Sequence, residues 1–424
     1  MSAFVVENAR VLTLAGPAEE DRGPRRGRAM GELRSLGPGA VRVAGGRIRA
    51  VGTAVDAPPD APRLNARGRV LMPAFVAAHT HACFAGSRLD EWEAKLAGAS
   101  YLELLKAGGG ILAPVRATRA ASVDELADGL TARLQRFERH GTGAVEVKSG
   151  YGLTTADELK MLLAIEAASS RVGSEVVATA CIGHASDPDE PRFVERTIEE
   201  TLPAVHEAYP GVAVAAYCEE GAWSREDTGR LLRRAADLGH PLRLHVDQFH
   251  ALGMLEDAIA LGCRSVDHLE ATGPDGLRRL AASDTVGVLL PASGFHTDGR
   301  YADGRTLIDA GGAVVVASNF NPGSSPVLSL PFVVALAVRR NGLTPAEAIV
   351  ACTRNGAALL GLEDRGRVAA GARADLLLLD ITDERELAHE AGSHLIAHMW
   401  LGGEPVPPTP PQPPGQPRTR RSSP

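Results

Sequence analysis

The chain has little cysteine, and its five cysteines, Cys83, Cys181, Cys218, Cys263 and Cys352, are odd in number, widely spaced and without a CxxC. That pattern argues against a disulfide framework and a zinc knuckle, and leaves reduced, mostly buried thiols in a cytoplasmic protein as the expectation. Also lacking is any apolar run approaching the ~20 residues that span a bilayer. The opening Met1 to Arg10 has no charged leader and its apolar stretch is broken by Glu7, so neither a membrane partner nor a secretory signal is expected. The net charge is −7 and the pI is near 6.0. No nucleic-acid partner is therefore expected.

What is present is a large core. With 44% hydrophobic and 23% charged residues, 424 residues suffice for one big domain and a smaller one. Between residues 70 and 321, short β-branched or alanine-rich runs alternate with helical stretches, as in a parallel sheet joined by crossover helices. Eight strands are expected: Val70 to His79, Ala144 to Lys148, Glu175 to Ile182, Val212 to Glu219, Leu242 to Val246, Ser265 to Leu269, Val286 to Leu290 and Ala313 to Ser318. Capping boxes at Ser122 to Glu125 and Thr155 to Glu158, and Thr344-Pro345 with Glu347, mark helix starts. The fold class is thus α/β, a TIM (β/α)8 barrel over 67–364. The hairpin pattern around Gly45-Gly46 and the apolar run ending at Asp380 predict a small β-sandwich built from both chain ends, 1–66 and 365–404, with 16–40 as an inserted loop. The Pro-rich tail 405–424 is expected to be disordered.

In this fold, chemistry sits where strands deliver their last residues to the C-terminal face. Those ends are His79 and His81, Lys148, His184, Glu219, His245, His268 and Asn319. Residues i and i+2 of an extended strand share a side, so His79-Thr80-His81 aims two imidazoles at one point, which suits a metal. An HxH alone is weak evidence, and Glu219 alone reads as a salt-bridged rim residue; the set carries the argument. His140, His206, His240, His250, His296, His389, His394 and His398 receive no role.

The barrel with this rim resembles the amidohydrolase superfamily. The stretches HTHACFAGSR (79–88), YLELLKAGGGILAPVRATRAAS (101–122), VEVKSGYGL (145–153), CEEGAWS (218–224), HVDQF (245–249), DHLE (267–270) and NPGSSP (321–326) are similar to the imidazolonepropionase family. The resemblance implies one Zn²⁺ or Fe³⁺ per subunit, held by His79, His81, His245 and the residue at the family's strand-eight aspartate, with an open position for an activated water. That aspartate falls on Asn319, whose amide is uncharged and takes no proton from water. His268 is then the expected base. The implied reaction opens 4-imidazolone-5-propanoate to N-formimidoyl-L-glutamate. Arg88 is assigned the propionate, against the plainer reading of a rim arginine paired with Asp90 or Glu91. Tyr151 is a candidate donor, His184 would polarise the ring carbonyl, and Gln248 would hold a ring nitrogen. Asn321, Gly323 and Ser324 would supply donors to carboxylates, or form an ordinary turn. Ala107 to Ile111 reads as a mobile active-site loop. Asn319 keeps two other readings open: a catalytically impaired ligand-binding relative, and a related amidohydrolase acting on another cyclic amide or an aminated ring. The expected partner is a small molecule, and a homodimer is allowed.

Overall fold

The computed structural model describes residues 3–16, 23–98 and 109–407. The chain opens with β1 (Phe4–Leu12), β2 (Ser35–Ala44), β3 (Arg47–Gly52), β4 (Arg63–Asn65) and β5 (Val70–Pro73). Eight strands follow among helices: β6 (Phe75–Ala77), β7 (Thr142–Lys148), β8 (Glu175–Gly183), β9 (Ala213–Cys218), β10 (Leu242–Val246), β11 (Ser265–His268), β12 (Val286–Leu289) and β13 (Val314–Val316). The last three are β14 (Leu376–Leu379), β15 (Ile396–Leu401) and β16 (Glu404–Pro405). Strands β6 to β13 pair in chain order and in parallel. The last returns to the first at the rim, where Asn319 N donates to His79 O (3.2 Å) and His81 N to Phe320 O (2.9 Å). The barrel expected from the strand and helix alternation is thus formed, and its closure lies beside the two histidines.

Residues 70 to 79, expected as one strand, are two in different sheets. Pro73 has no N–H to continue a ladder. Ala74 N donates to Asp375 O (2.9 Å) and Phe75 N to Gly141 O (2.9 Å), so the chain changes partners at this point. Val70–Pro73 therefore pairs with β1 and β14 rather than in the barrel. Both chain ends meet in one mixed sheet of order β16-β15-β14-β5-β1-β2-β3, with β4 beside β1. The sheet curls until Ile48 N reaches Ala372 O (2.9 Å), enclosing Val6, Val41, Ile48, Leu71, Leu376, Leu378 and Trp400. Its other face, with Val70, Met72, Leu377 and Leu379, packs into the main core of the barrel. A strand buried on both faces explains the unbroken Leu376-Leu-Leu-Leu379 run.

Gly45 and Gly46, both at positive φ (61° and 74°), form the two-residue turn between β2 and β3. The capping boxes at Ser122 and Thr344 are present in full, the latter with Pro345 in the first turn. At Thr155 the box is absent. Thr154 caps the helix Thr155–Ser169 by accepting from Asp157 N (3.1 Å), and Glu158 is drawn elsewhere, as described below. Residues 16–40, read as a loop, carry a 3-10 turn at Gly27–Gly31 and the start of β2, because Met30 is fully buried and Arg25 N donates to Asn355 Oδ1 (2.7 Å). Pro405 pairs with Trp400 in β16, while 408–424 of the expected tail, and Ala107 and Gly108 of the expected mobile loop, lie outside the described residues. All five cysteines are free and buried.

Candidate active site

His79 and His81 follow β6, and His245 lies in β10, the fifth barrel strand. Their nitrogens lie within 4.8 Å of one another, and all three residues are buried. The tautomers are set from behind. His79 Nδ1 faces Asp267 Oδ2 at 2.6 Å and His245 Nδ1 faces the Ala216 carbonyl at 3.0 Å, so each Nδ1 donates and each Nε2 presents a lone pair. His81 Nε2 lies 3.2 Å from His245 Nε2. Two ligands at 2.0–2.1 Å on one tetrahedral ion would stand about 3.3 Å apart. Among the described residues, His79 Nε2 and Asn319 Oδ1 are buried with no hydrogen-bond partner, which is costly unless a cation takes them. Burial lowers the pKa of His79 to about 4, aided by Lys148, and drives those of His81 and His245 well below the usual value. All three are neutral imidazoles at pH 7, the form a metal binds. The donor set fits a metal ion.

Behind His79 runs a buried chain of charge that the strand-end reading passed over. Lys148 Nζ meets Glu146 Oε1 (2.5 Å), Arg243 Nη1 meets the same oxygen (3.1 Å), and Arg243 Nη2 meets Asp267 Oδ2 (3.1 Å). Glu146 Oε2 also accepts from Thr80 N (3.0 Å), between the two histidines. Lys148, expected at the rim, is therefore buried in this network. Burial alone would raise the Asp267 pKa, but Arg243 and His79 hold it well below the usual carboxylate range. Glu146-x-Lys148, Arg243-x-His245 and Ser265-x-Asp267 repeat the i, i+2 spacing of the histidine pair, so charge alternating within apolar strands was the available signal.

A cavity of about 190 Å³ opens beside the three histidines. It is lined by His81, Arg88, Tyr151, His184, His245, Gln248, His268, Asn319, Asn321 and Ser324, and also by Ile111, Tyr217 and Phe249. His79 lies beneath it and Gly323 beside it: a Cβ on Gly323 would overlap Arg88 Nη1. The plainer reading of Arg88 is realised in part, since Nε and Nη2 bond Glu91 and leave Nη1 toward the cavity wall. His184 Nδ1 donates to Gly150 O (2.9 Å), and burial lowers its pKa to about 4. In the neutral ring Nε2 then presents a lone pair, which suits a proton donor. Tyr217, absent from the strand-end reading, donates its hydroxyl to Gln248 Oε1 (2.9 Å), which makes the NH₂ the other end of that amide. Asn321 Oδ1 accepts from Gly323 N (2.8 Å) and Ser324 N (2.7 Å), so these backbone donors hold their own turn rather than a ligand. Asn319 Nδ2 donates to Ser293 Oγ (2.9 Å). Glu219 binds Phe249 N (2.8 Å) and His250 Nδ1 (2.8 Å), a rim anchor for the loop after β10. Asp247, His268, Leu269 and Asn319 all have positive φ (53°, 92°, 72° and 50°), a concentration of backbone strain at this rim.

The sequence model of the Amidohydrolase family matches residues 96–407. Imidazolonepropionase of Deinococcus radiodurans is 43% identical over 381 residues, covering 90% of this chain and 95% of that protein. Imidazolonepropionase of Rubrobacter xylanophilus is 43% identical over 401 residues, covering 92% and 96%. Among solved structures, a triazine hydrolase variant aligns with a TM-score of 0.73 at 18% identity, over 95% of this chain and 94% of that one. N-isopropylammelide isopropylaminohydrolase from Burkholderia multivorans aligns with a TM-score of 0.68, also at 18% identity, over 96% and 98%. At that identity the structural likenesses speak to the fold alone.

Proposed function

The chain belongs to the amidohydrolase family and, within it, to the imidazolonepropionases, and from that premise we propose that it opens 4-imidazolone-5-propanoate with water to N-formimidoyl-L-glutamate. The water oxygen bonds to the ring carbonyl carbon, the bond from that carbon to the ring nitrogen breaks, and the nitrogen takes up a proton. The observation that carries this reading is the convergence of three neutral imidazoles, His79, His81 and His245, beside a small cavity whose wall includes His81, His245 and the orphaned Asn319 Oδ1.

His79, His81 and His245 would hold the ion, with the Asn319 carbonyl oxygen as a neutral fourth donor. When bound, the ion supplies Lewis acidity that makes water nucleophilic at neutral pH. The direct donor set contains no anion, which suits Zn²⁺ better than Fe³⁺, because a third positive charge would meet no carboxylate among its own ligands. Asn319 accepts no proton, so His268, beside it in the cavity wall, takes the proton from water and returns one to the leaving nitrogen. His268 Nδ1 lies 3.4 Å from Glu270 Oε1, which favours Nε2 as the working atom. Arg88 receives the propionate through Nη1. The His184 lone pair accepts from a ring N–H, and the Gln248 NH₂ donates to a ring acceptor. Burial pushes the Tyr151 hydroxyl pKa up, so it stays a donor. Asn321, Gly323 and Ser324 shape the wall on the Arg88 side.

No helix among the described residues is long and apolar enough to cross a membrane. The buried free thiols fit a cytoplasmic protein. The deciding experiment incubates Zn²⁺-loaded protein with imidazolonepropionate and follows formation of formimidoylglutamate. Absence of turnover above buffer, with one metal bound per chain, would overturn the proposal.

A further inference from the structure

Glu158 is the strand-turn-helix residue whose expected capping role the structure reassigns. Its carboxylate is almost wholly buried, at 1% exposure, in the first turn of the helix Thr155–Ser169. Instead of closing the helix end it reaches back over the preceding turn. Oε2 accepts from Gly150 N (2.9 Å), and Oε1 accepts from Gly152 N (2.8 Å) and Leu153 N (2.9 Å). The Ser149 side chain adds a further hydrogen bond. Every named neighbour is a donor, so an acceptor is required on both oxygens, which a carboxylate offers and an amide does not.

The turn held in this way carries two cavity groups. Tyr151 lies inside it, and the carbonyl of Gly150 is the acceptor that fixes His184 Nδ1. His184 in turn stacks on His81 with ring centroids 4.4 Å apart and planes 17° from parallel. Gly150 takes φ 108°, which its lack of a side chain permits, while Leu153 is held at φ 56°, a conformation disfavoured for a residue with a Cβ. Such conformations persist only where the surroundings over-determine them. A Cβ on Gly150 would lie 2.9 Å from His184 Cβ and 3.0 Å from Cys181 O, so turn and histidine are in direct contact.

We propose that Glu158 is a positioning residue for ring opening: by gathering the N–H groups of Gly150, Gly152 and Leu153, it holds the carbonyl that orients His184 and the turn that presents Tyr151. It touches no substrate atom and acts through those two. The inference deepens the imidazolonepropionase reading and rests on it for its kinetic consequence, though not for its structural one. A misplacement of these groups by about 1 Å is enough to cost roughly 10²-fold in rate.

The test uses the full-length, Zn²⁺-loaded protein and the variants Glu158→Gln, Gly150→Ala, His184→Gln and the double variant Glu158→Gln/His184→Gln. Glu158→Gln is expected to lower kcat/KM roughly 10- to 100-fold while metal content is kept. Gly150→Ala attacks the same turn from its other side and should do the same if Glu158→Gln fails to fold. In the His184→Gln background the Glu158→Gln effect should shrink several-fold, since its main target is already gone. Nitrogen NMR of labelled histidine should show His184 protonated on Nδ1 in the parent protein and a tautomer mixture in Glu158→Gln, whatever the enzyme turns over. Inactive parent protein with an Nδ1-protonated His184 that is lost in Glu158→Gln would defeat the substrate reading and leave the positioning intact. An unchanged His184 signal, or equal losses of kcat/KM in both backgrounds, would overturn the inference.

Discussion

At the scale of single residues, the site turns on what each side chain can still do after its neighbours have claimed part of it. Asn319 is the sharpest case. Asn319→Asp is expected to raise kcat about 10²-fold or more, by the usual worth of a positioned proton acceptor, and to let the site retain Fe³⁺ as well as Zn²⁺. Steady-state kinetics with elemental analysis of the purified variant check both, and an unchanged rate would make His268 the sufficient base. The neutral histidines also set a pH dependence. His79 and His184 have folded pKa values near 4 against an ordinary value of 6.5. Between those values the unfolded chain binds more protons than the folded one, so stability is full above about 6.5 and falls as the pH drops toward 4. Melting of the metal-free protein from pH 7.5 to 4.5 should show this fall, and a flat profile would mean the histidines are charged in the fold. The identities of His79, His81, His245 and His268 were legible from spacing at strand ends. The bonds that decide what they do, such as Asp267 on His79 across 188 positions, were not, because they are made between strands remote in sequence.

Elements show the same division between local and distant causes. A capping box is a matter of four consecutive residues, and at Ser122 and Thr344 it forms as the pattern predicts. Ser122→Ala, which removes the side chain that accepts from Glu125 N (3.2 Å), should cost about 1 kcal/mol in urea unfolding. At Thr155 the same pattern fails because Glu158 finds three stronger claims in the Gly150–Leu153 turn, which only tertiary packing brings within reach. The split of residues 70–79 has a similar origin. Their composition fits a buried strand throughout; Pro73 is a local weak point in any ladder, but nothing local says that the chain there leaves β14 for β7. The partners that force the change, Asp375 and Gly141, lie far along the chain.

For the whole molecule, the terminal sheet and the barrel are one mechanical unit, since Leu377 and Leu379 of β14 face the barrel while Leu376 and Leu378 face the sheet's own core. Leu377→Ala is expected to cost about 2–5 kcal/mol, the range for a fully buried leucine, and to weaken both parts together. Trp223 is buried in the barrel and Trp400 in the sheet, so single-tryptophan variants should report coincident unfolding transitions. Separate midpoints would mean two independently stable units. By itself the sequence determined the alternation of strand and helix, hence a barrel with its chemistry at one rim, and it determined the spacing that turns His79 and His81 to one side, because both follow from periodicities of a few residues. Tertiary structure alone decided which nitrogen each histidine offers and what Glu158 holds, because each depends on a partner that only folding brings within about 3 Å.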